Sequence, residues 1–132
     1  MKQELRNKDQ GNFFIRYIKS FFHALNGIGY AFRHEHNMYI IILAIFVVTS
    51  AGFYFQLSII EWLFCILSMG LVTAVELINS AIEAVCDRVT LETNSLIKIA
   101  KDTASGASLI LSITAAFIGC LIFIPKIIEL FS

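Results

Sequence analysis

Between His36 and Ile60 the chain carries no Asp, Glu, Lys or Arg, and a second uncharged run fills residues 103–125, bracketed by Asp102 and Lys126. A helix rises about 1.5 Å per residue, so either run can cross the roughly 30 Å hydrocarbon layer of a bilayer. Inside lipid the backbone must satisfy its own hydrogen bonds, which leaves helices or closed barrels. One proline and seven glycines in 132 residues leave little room for a turn-rich β design. The composition agrees: 58% of residues are hydrophobic and 15% charged, against about a quarter charged in a soluble domain. Net charge is zero, which gives no nucleic-acid signature.

Charge distribution orders the spans. Lys2, Arg6, Lys8, Arg16, Lys19 and Arg33 precede the first run, Arg88, Lys98 and Lys101 lie before the last, and Lys126 follows it. The positive-inside rule then places the N-terminus and the 87–102 loop in the cytoplasm and the C-terminus outside, with three spans. The expectation is an all-α membrane protein forming one domain over residues 1–132. It comprises a polar tail (1–12), an amphipathic surface helix (13–33) and transmembrane helices at 38–57, 60–86 and 103–125. The surface helix follows from Phe14, Tyr17, Ile18, Phe21, Phe22, Leu25, Ile28 and Phe32 at three- and four-residue steps, with Arg16, Lys19 and His23 between them. Cys65, Cys86 and Cys120 lack any ligand spacing and read as packing residues. No stretch resembles a signal peptide.

The second span holds acids where a plain anchor would have none. Glu76 lies roughly 22 Å along the axis from Glu61, inside the membrane, and Glu83 and Asp87 approach the inner interface. Glu76, Glu83 and Asp87 fall within about 20° of one line on the helix, flanked by Asn79 and Ser80. A carboxylate at that depth costs several kcal/mol on insertion scales unless it is paired, hydrated or protonated. It can bond across helices to hold an oligomer, or it can do chemistry. Two acids at the interface suit Mg²⁺, which takes one or two carboxylates plus substrate phosphates. A deeper acid suits a general base meeting a hydroxyl that lives in the membrane. Lys101 and Asp102 stand before the third span beside Ser105, where a cation either attracts phosphates or follows the positive-inside rule. Neither G-x-x-x-x-G-K-[ST] nor G-x-G-x-x-G occurs. Glu35, between His34 and His36, is at a depth matching Glu83; the histidines read as interfacial residues.

The segment Glu76-Leu-Ile-Asn-Ser-Ala-Ile-Glu83-Ala-Val-Cys-Asp87, with Ala100-Lys101-Asp102 downstream and G-I-x-x-A-F-R-x-E-x-N before the first span, resembles the prokaryotic diacylglycerol kinase family. These are small membrane lipid kinases, and the likeness covers residues 13–128. It implies ATP- and Mg²⁺-dependent phosphorylation of a lipid hydroxyl at the inner face of a bacterial cytoplasmic membrane, by a homotrimer with shared sites. It further implies Glu76 as general base and Glu35 and Glu83 as metal ligands. Arg16, Glu92, Lys101 and Asp102 would contact the nucleotide, and Asn79, Asp87 and Ser105 would support the site. Many relatives carry an aromatic and a histidine where this chain has Thr93 and Asn94, a departure beside Glu92. Leu57-Ser-Ile-Ile-Glu-Trp62, the R-x-E-x-N segment and Ile122-Phe-Ile-Pro-Lys126 resemble the undecaprenol-phosphorylating branch, whereas the NSAIEAVCDR stretch is closer to the diacylglycerol-using one. Two further readings stay open: a channel or transporter subunit whose acids line an ion path, and a structural oligomerising subunit. Clustering of the acids toward one leaflet counts against the ion path.

Overall fold

The computed structural model describes residues 13–89 and 94–132. These form four helices: α1 Phe13–His34, α2 His36–Tyr54, α3 Ile59–Val89 and α4 Ser95–Leu130. The polar tail 1–12 and Glu92 lie outside the described residues. The chain divides after His34 into two compact units.

The N-terminal unit is α1. Its last turn carries Arg33 and His34, cations that suit the negative end of a helix dipole. His34 Nδ1 donates to the Tyr30 carbonyl at 2.9 Å, one turn back, and the two rings stack at 4.1 Å. This histidine is occupied locally.

In the second unit α2, α3 and α4 are each long and apolar enough to cross a membrane. With 19, 31 and 36 residues, they extend about 28, 46 and 54 Å. The bilayer core is roughly 30 Å thick, so α3 and α4 have surplus length. α4 continues through Pro125 to Leu130, so the proline does not end the helix; membrane helices accommodate the lost hydrogen bond by local adjustment.

The α2–α3 connection is tight. Leu57 N–H donates to the Gly52 carbonyl at 3.0 Å, and Gln56 takes the left-handed conformation with φ 50°. Ser58 and Glu61 then start α3 reciprocally: Glu61 Oε2 accepts from Ser58 N–H at 2.7 Å, and Glu61 N–H donates to Ser58 Oγ at 3.4 Å. That is a capping box, which satisfies two otherwise orphaned donors. The Trp62 ring lies over Gly52, where a Cβ would meet it at 2.6 Å; the close approach requires glycine. Lys126, from the far end of α4, pairs with Glu61 at 3.0 Å.

Packing is inverted relative to a soluble protein. Leu43, Phe46, Leu67, Ile110, Phe117 and Leu121 are exposed, while Glu76, Asn79, Ser80 and Ser108 are buried. Lipid tails are as apolar as leucine, so helices in a bilayer gain from close packing and shared hydrogen bonds and not from hiding apolar surface. α4 packs chiefly on α3, and α2 packs on α3 more sparingly. Among the described residues no comparable contact joins α2 to α4, which leaves a cleft between them.

Candidate active site

Helix α3 delivers the acids and its neighbours hold the deepest one. Glu76 is 3% exposed. Its Oε1 accepts from Asn37 Nδ2 of α2 at 2.8 Å, and its Oε2 accepts from Ser108 Oγ of α4. Both donors are neutral. An ionised carboxylate has about four lone-pair sites, so each oxygen can still accept another hydrogen bond. Three helices thus converge on one carboxylate, through partners within a single chain.

Ser108 is unlike the other membrane-embedded hydroxyls. Ser68, Thr73 and Thr114 each donate to the carbonyl four residues back, at 2.7, 2.7 and 2.9 Å. Such back-bonding is the default way to satisfy a hydroxyl in lipid. Ser108 reaches across to Glu76 instead. Ser80, by contrast, back-bonds to the Glu76 carbonyl at 3.0 Å and braces that turn.

One turn along the stripe, Asn79 is 5% exposed, with Nδ2 3.5 Å from Glu83 Oε1. Its Oδ1 is buried and has no hydrogen-bond partner among the described residues. Leaving such an acceptor unsatisfied costs about 1–3 kcal/mol, so the position calls for a donor. Asn37, Glu76, Asn79, Ser105, Ser108 and Ser112 line a common, half-open cavity of about 260 Å³, with Ile40, Ile41 and Leu109 on its apolar side. A hydroxyl entering this space meets a carboxylate and an amide oxygen, both acceptors.

Beyond Asn79 the stripe becomes wetter. Glu83 is half-buried. Asp87 Oδ1 accepts from Lys101 Nζ at 2.8 Å, bridging α3 and α4. Asp102 pairs with Lys98 at 2.5 Å on the exposed side of α4. Lys101 and Asp102 therefore carry carboxylate and ammonium partners of their own. Glu35 occupies the position before α2, half-buried, and makes no side-chain capping bond. Arg16 is exposed on α1, in the other unit.

The structure gathers Glu76, Asn79 and Ser105 in one cavity and bonds Asn79 to Glu83. It adds Asn37 and Ser108, which reasoning from the sequence did not single out. Ser105, Ser108 and Ser112 follow a three-then-four spacing, so a helical wheel of α4 would have exposed that stripe. Asn37 is the last residue of the R-x-E-x-N segment. Among the described residues no three His, Cys, Asp or Glu side chains gather into a metal cluster. Mg²⁺ does not need one, since it keeps waters and substrate oxygens and takes only one or two carboxylates. Glu83, half-buried with one oxygen 3.5 Å from Asn79 Nδ2, offers a carboxylate of that kind.

A three-span membrane protein with a buried, neutrally held carboxylate and a charged rim is thus defined. The family profile described as prokaryotic diacylglycerol kinase matches residues 22–123. The chain is 40% identical over 121 residues to the undecaprenol kinase of Bacillus subtilis (strain 168), covering 92% of this chain and 98% of that protein. It is 40% identical over 106 residues to the diacylglycerol kinase of Helicobacter pylori (strain J99), covering 80% and 82%. With the diacylglycerol kinase of Escherichia coli (strain K12) it shares 33% over 109 residues, covering 83% and 89%. The chain belongs to the prokaryotic diacylglycerol kinase family, and these relatives are named as lipid kinases.

Proposed function

We propose that this protein transfers the γ-phosphoryl group of ATP to the hydroxyl of a membrane lipid alcohol, with undecaprenol as substrate and undecaprenyl phosphate as product. The observation that carries the reading is the Glu76 carboxylate, buried at membrane depth, held by Asn37 and Ser108 and open to a cavity lined by Asn79. Such an acid can accept the proton of a lipid hydroxyl as that oxygen attacks the γ-phosphorus. The bond from the γ-phosphorus to the β–γ bridging oxygen breaks, ADP leaves, and the proton later passes from Glu76 to water. Phosphoryl transfer of this type rests on positioning and charge neutralisation.

Glu83, with Glu35, would hold Mg²⁺, which supplies positive charge against the ATP phosphates when bound. Lys101 would exchange its Asp87 partner for a phosphate. Asp102, Arg16 and Glu92 would contact the nucleotide, while Asp87, Asn79 and Ser105 support these groups. The whole chain forms one membrane-embedded domain, with α1 lying on the cytoplasmic surface as an amphipathic helix and the C-terminus outside. Three copies assemble as a homotrimer with shared sites in the bacterial cytoplasmic membrane.

Similarity to the Bacillus subtilis undecaprenol kinase over nearly its full length supports the polyprenol. Diacylglycerol is the second reading, supported by the Helicobacter and Escherichia relatives. The test uses purified protein in lipid–detergent micelles with Mg²⁺ and γ-labelled ATP, offering undecaprenol and diacylglycerol separately, with Glu76→Gln as control. The expected result is label in undecaprenol at the higher kcat/KM and at least about a hundredfold less with the variant. Label mainly in diacylglycerol would promote the second reading. Label in neither, with an active relative run alongside, would return the acidic stripe to an ion path or an oligomer contact.

A further inference from the structure

On the proposed reaction Glu76 exists in two states, an ionised one that takes a proton and a neutral one that holds it. Its two oxygens meet unlike partners. Oε1 accepts from the Asn37 amide nitrogen at 2.8 Å, and Oε2 accepts from the Ser108 hydroxyl. An amide nitrogen only donates, whereas a hydroxyl donates one hydrogen and accepts through two lone pairs. Ser108 can therefore reverse its role by rotating one hydrogen about its C–O bond, with no heavy atom moving. Asn37 can offer an acceptor only by turning its whole amide over. Among the described residues no charged side chain of the packed elements bonds to Glu76: Glu83 meets Asn79, Asp87 and Lys101 meet each other, and Glu35 precedes α2.

The same helices show where the serine hydrogen can go once Oε2 no longer accepts it. Ser68, Thr73, Ser80 and Thr114 all donate to the carbonyl four residues back, a bond open to a hydroxyl on any membrane helix. For Ser108 that acceptor is the Ala104 carbonyl, which has two lone pairs and spends one on the helix ladder. Both residues are buried, so the exchange takes place away from bulk water. We propose that Ser108 is a positioning residue that holds Glu76 in both protonation states, and that the proton taken from the lipid hydroxyl resides on Oε2. The proposal rests on the reading of Glu76 as general base and says how that base is handled.

The lipid oxygen bonds to the γ-phosphorus, the bond to the β–γ bridging oxygen breaks, and its electron pair leaves with ADP. The hydroxyl hydrogen moves to the free lone pair of Oε2. When the phosphorylated lipid moves off, Oε2–H turns to donate to Ser108 Oγ, and the Ser108 hydrogen swings to the Ala104 carbonyl. Oε1, now the C=O oxygen, keeps its bond from Asn37. Once the proton passes to water, the serine hydrogen returns to Oε2. Each polar atom of the pair thus keeps a partner throughout, as buried polar groups do.

The test combines infrared spectroscopy with kinase assays on the whole chain in lipid bilayers. A protonated carboxyl absorbs as a C=O stretch, and a hydrogen bond received by that oxygen lowers its frequency. In acidified samples the Glu76 band is the one that Glu76→Gln lacks. The band is expected to rise more in Asn37→Ala than in Ser108→Ala, because Asn37 bonds the C=O oxygen. With Mg²⁺-ATP and undecaprenol, Ser108→Ala is expected to lower kcat about ten- to hundredfold, and Ser108→Thr to recover most of that loss. Ser108→Val, which matches threonine in shape without its hydroxyl, replaces alanine if the elution volume or thermal midpoint changes. Equal band shifts, or a larger one in Ser108→Ala, would overturn the proposal and leave the general base in place. A well-folded Ser108→Thr as slow as alanine would also overturn it, since the hydroxyl would then be idle. A wild-type protein inactive on both undecaprenol and diacylglycerol would remove the parent reading, and this one with it.

Discussion

Two of the acids on helix α3, Glu61 near its start and Glu76 about four turns on, are held in opposite ways. Glu61 accepts the Ser58 N–H and is paired with Lys126, so its charge is matched by a cation and tied into a cap. Glu76 is more deeply buried, yet its side-chain partners are an amide and a hydroxyl. A carboxylate beside an ammonium is a stable ion pair and a poor proton acceptor. Held by neutral donors, Glu76 keeps its orientation with no cation among its side-chain partners. On the proposed function, the first is a fastening and the second a reagent.

Five substitutions probe that contrast and the site around it. Glu76→Gln removes the basic oxygen and is expected to lower kcat by about 10²–10⁴-fold, with ATP binding, measured by fluorescent-nucleotide titration, largely kept. Loss of nucleotide binding would instead assign Glu76 to the metal shell. Ser108→Ala frees one oxygen of the same carboxylate. Hydrogen bonds to charged groups are worth about 1.5–3 kcal/mol, so kcat should fall about ten- to hundredfold with little change in the KM for ATP. Ser108→Thr, which restores the hydroxyl, should recover much of that loss.

Asp87→Asn weakens the hold on Lys101, freeing it for a phosphate, and should lower the KM for ATP several-fold while kcat moves less. An unchanged KM would exclude Lys101 from the phosphate contacts. Glu61→Gln, the counterpart of the first substitution, should leave kcat/KM within about twofold and lower the thermal midpoint, because it breaks the half-buried pair with Lys126 while glutamine can still cap the helix. If Glu61→Gln were to cost as much turnover as Glu76→Gln, the contrast between the two acids would collapse.

The spans were legible in the sequence because a bilayer imposes a length and forbids unpaired charge. The acid stripe was legible because periodicity within one helix fixes which residues share a face. Asn37 and Ser108 escaped because each reaches Glu76 from a different helix, and the rotation of one helix against another is not encoded in either helix's own period. Ser108 also sat among similar hydroxyls, of which Thr114 and Ser68 merely bond their own backbones. The extension of α4 back to Ser95 was hidden for another reason. It lies beyond the apolar run and begins with the Asn94 side chain accepting from Leu96 and Ile97 N–H, a local bond that hydropathy does not register.

The placement of Glu76, Asn79 and Glu83 on one face of α3 makes the site sensitive to phase, whereas the membrane span around it is not. One residue inserted between Glu76 and Glu83 would leave the hydropathy profile of α3 almost unaltered, yet it would turn Glu83 about 100° away from the face that carries Glu76. Substitution on the lipid-facing side, and even exchange of one apolar residue for another along α3, leaves that phase alone. Two chains of the same apparent topology can therefore differ completely in whether they hold a working site. In this fold, counting residues between the acids is a sterner test of kinship than counting hydrophobic ones.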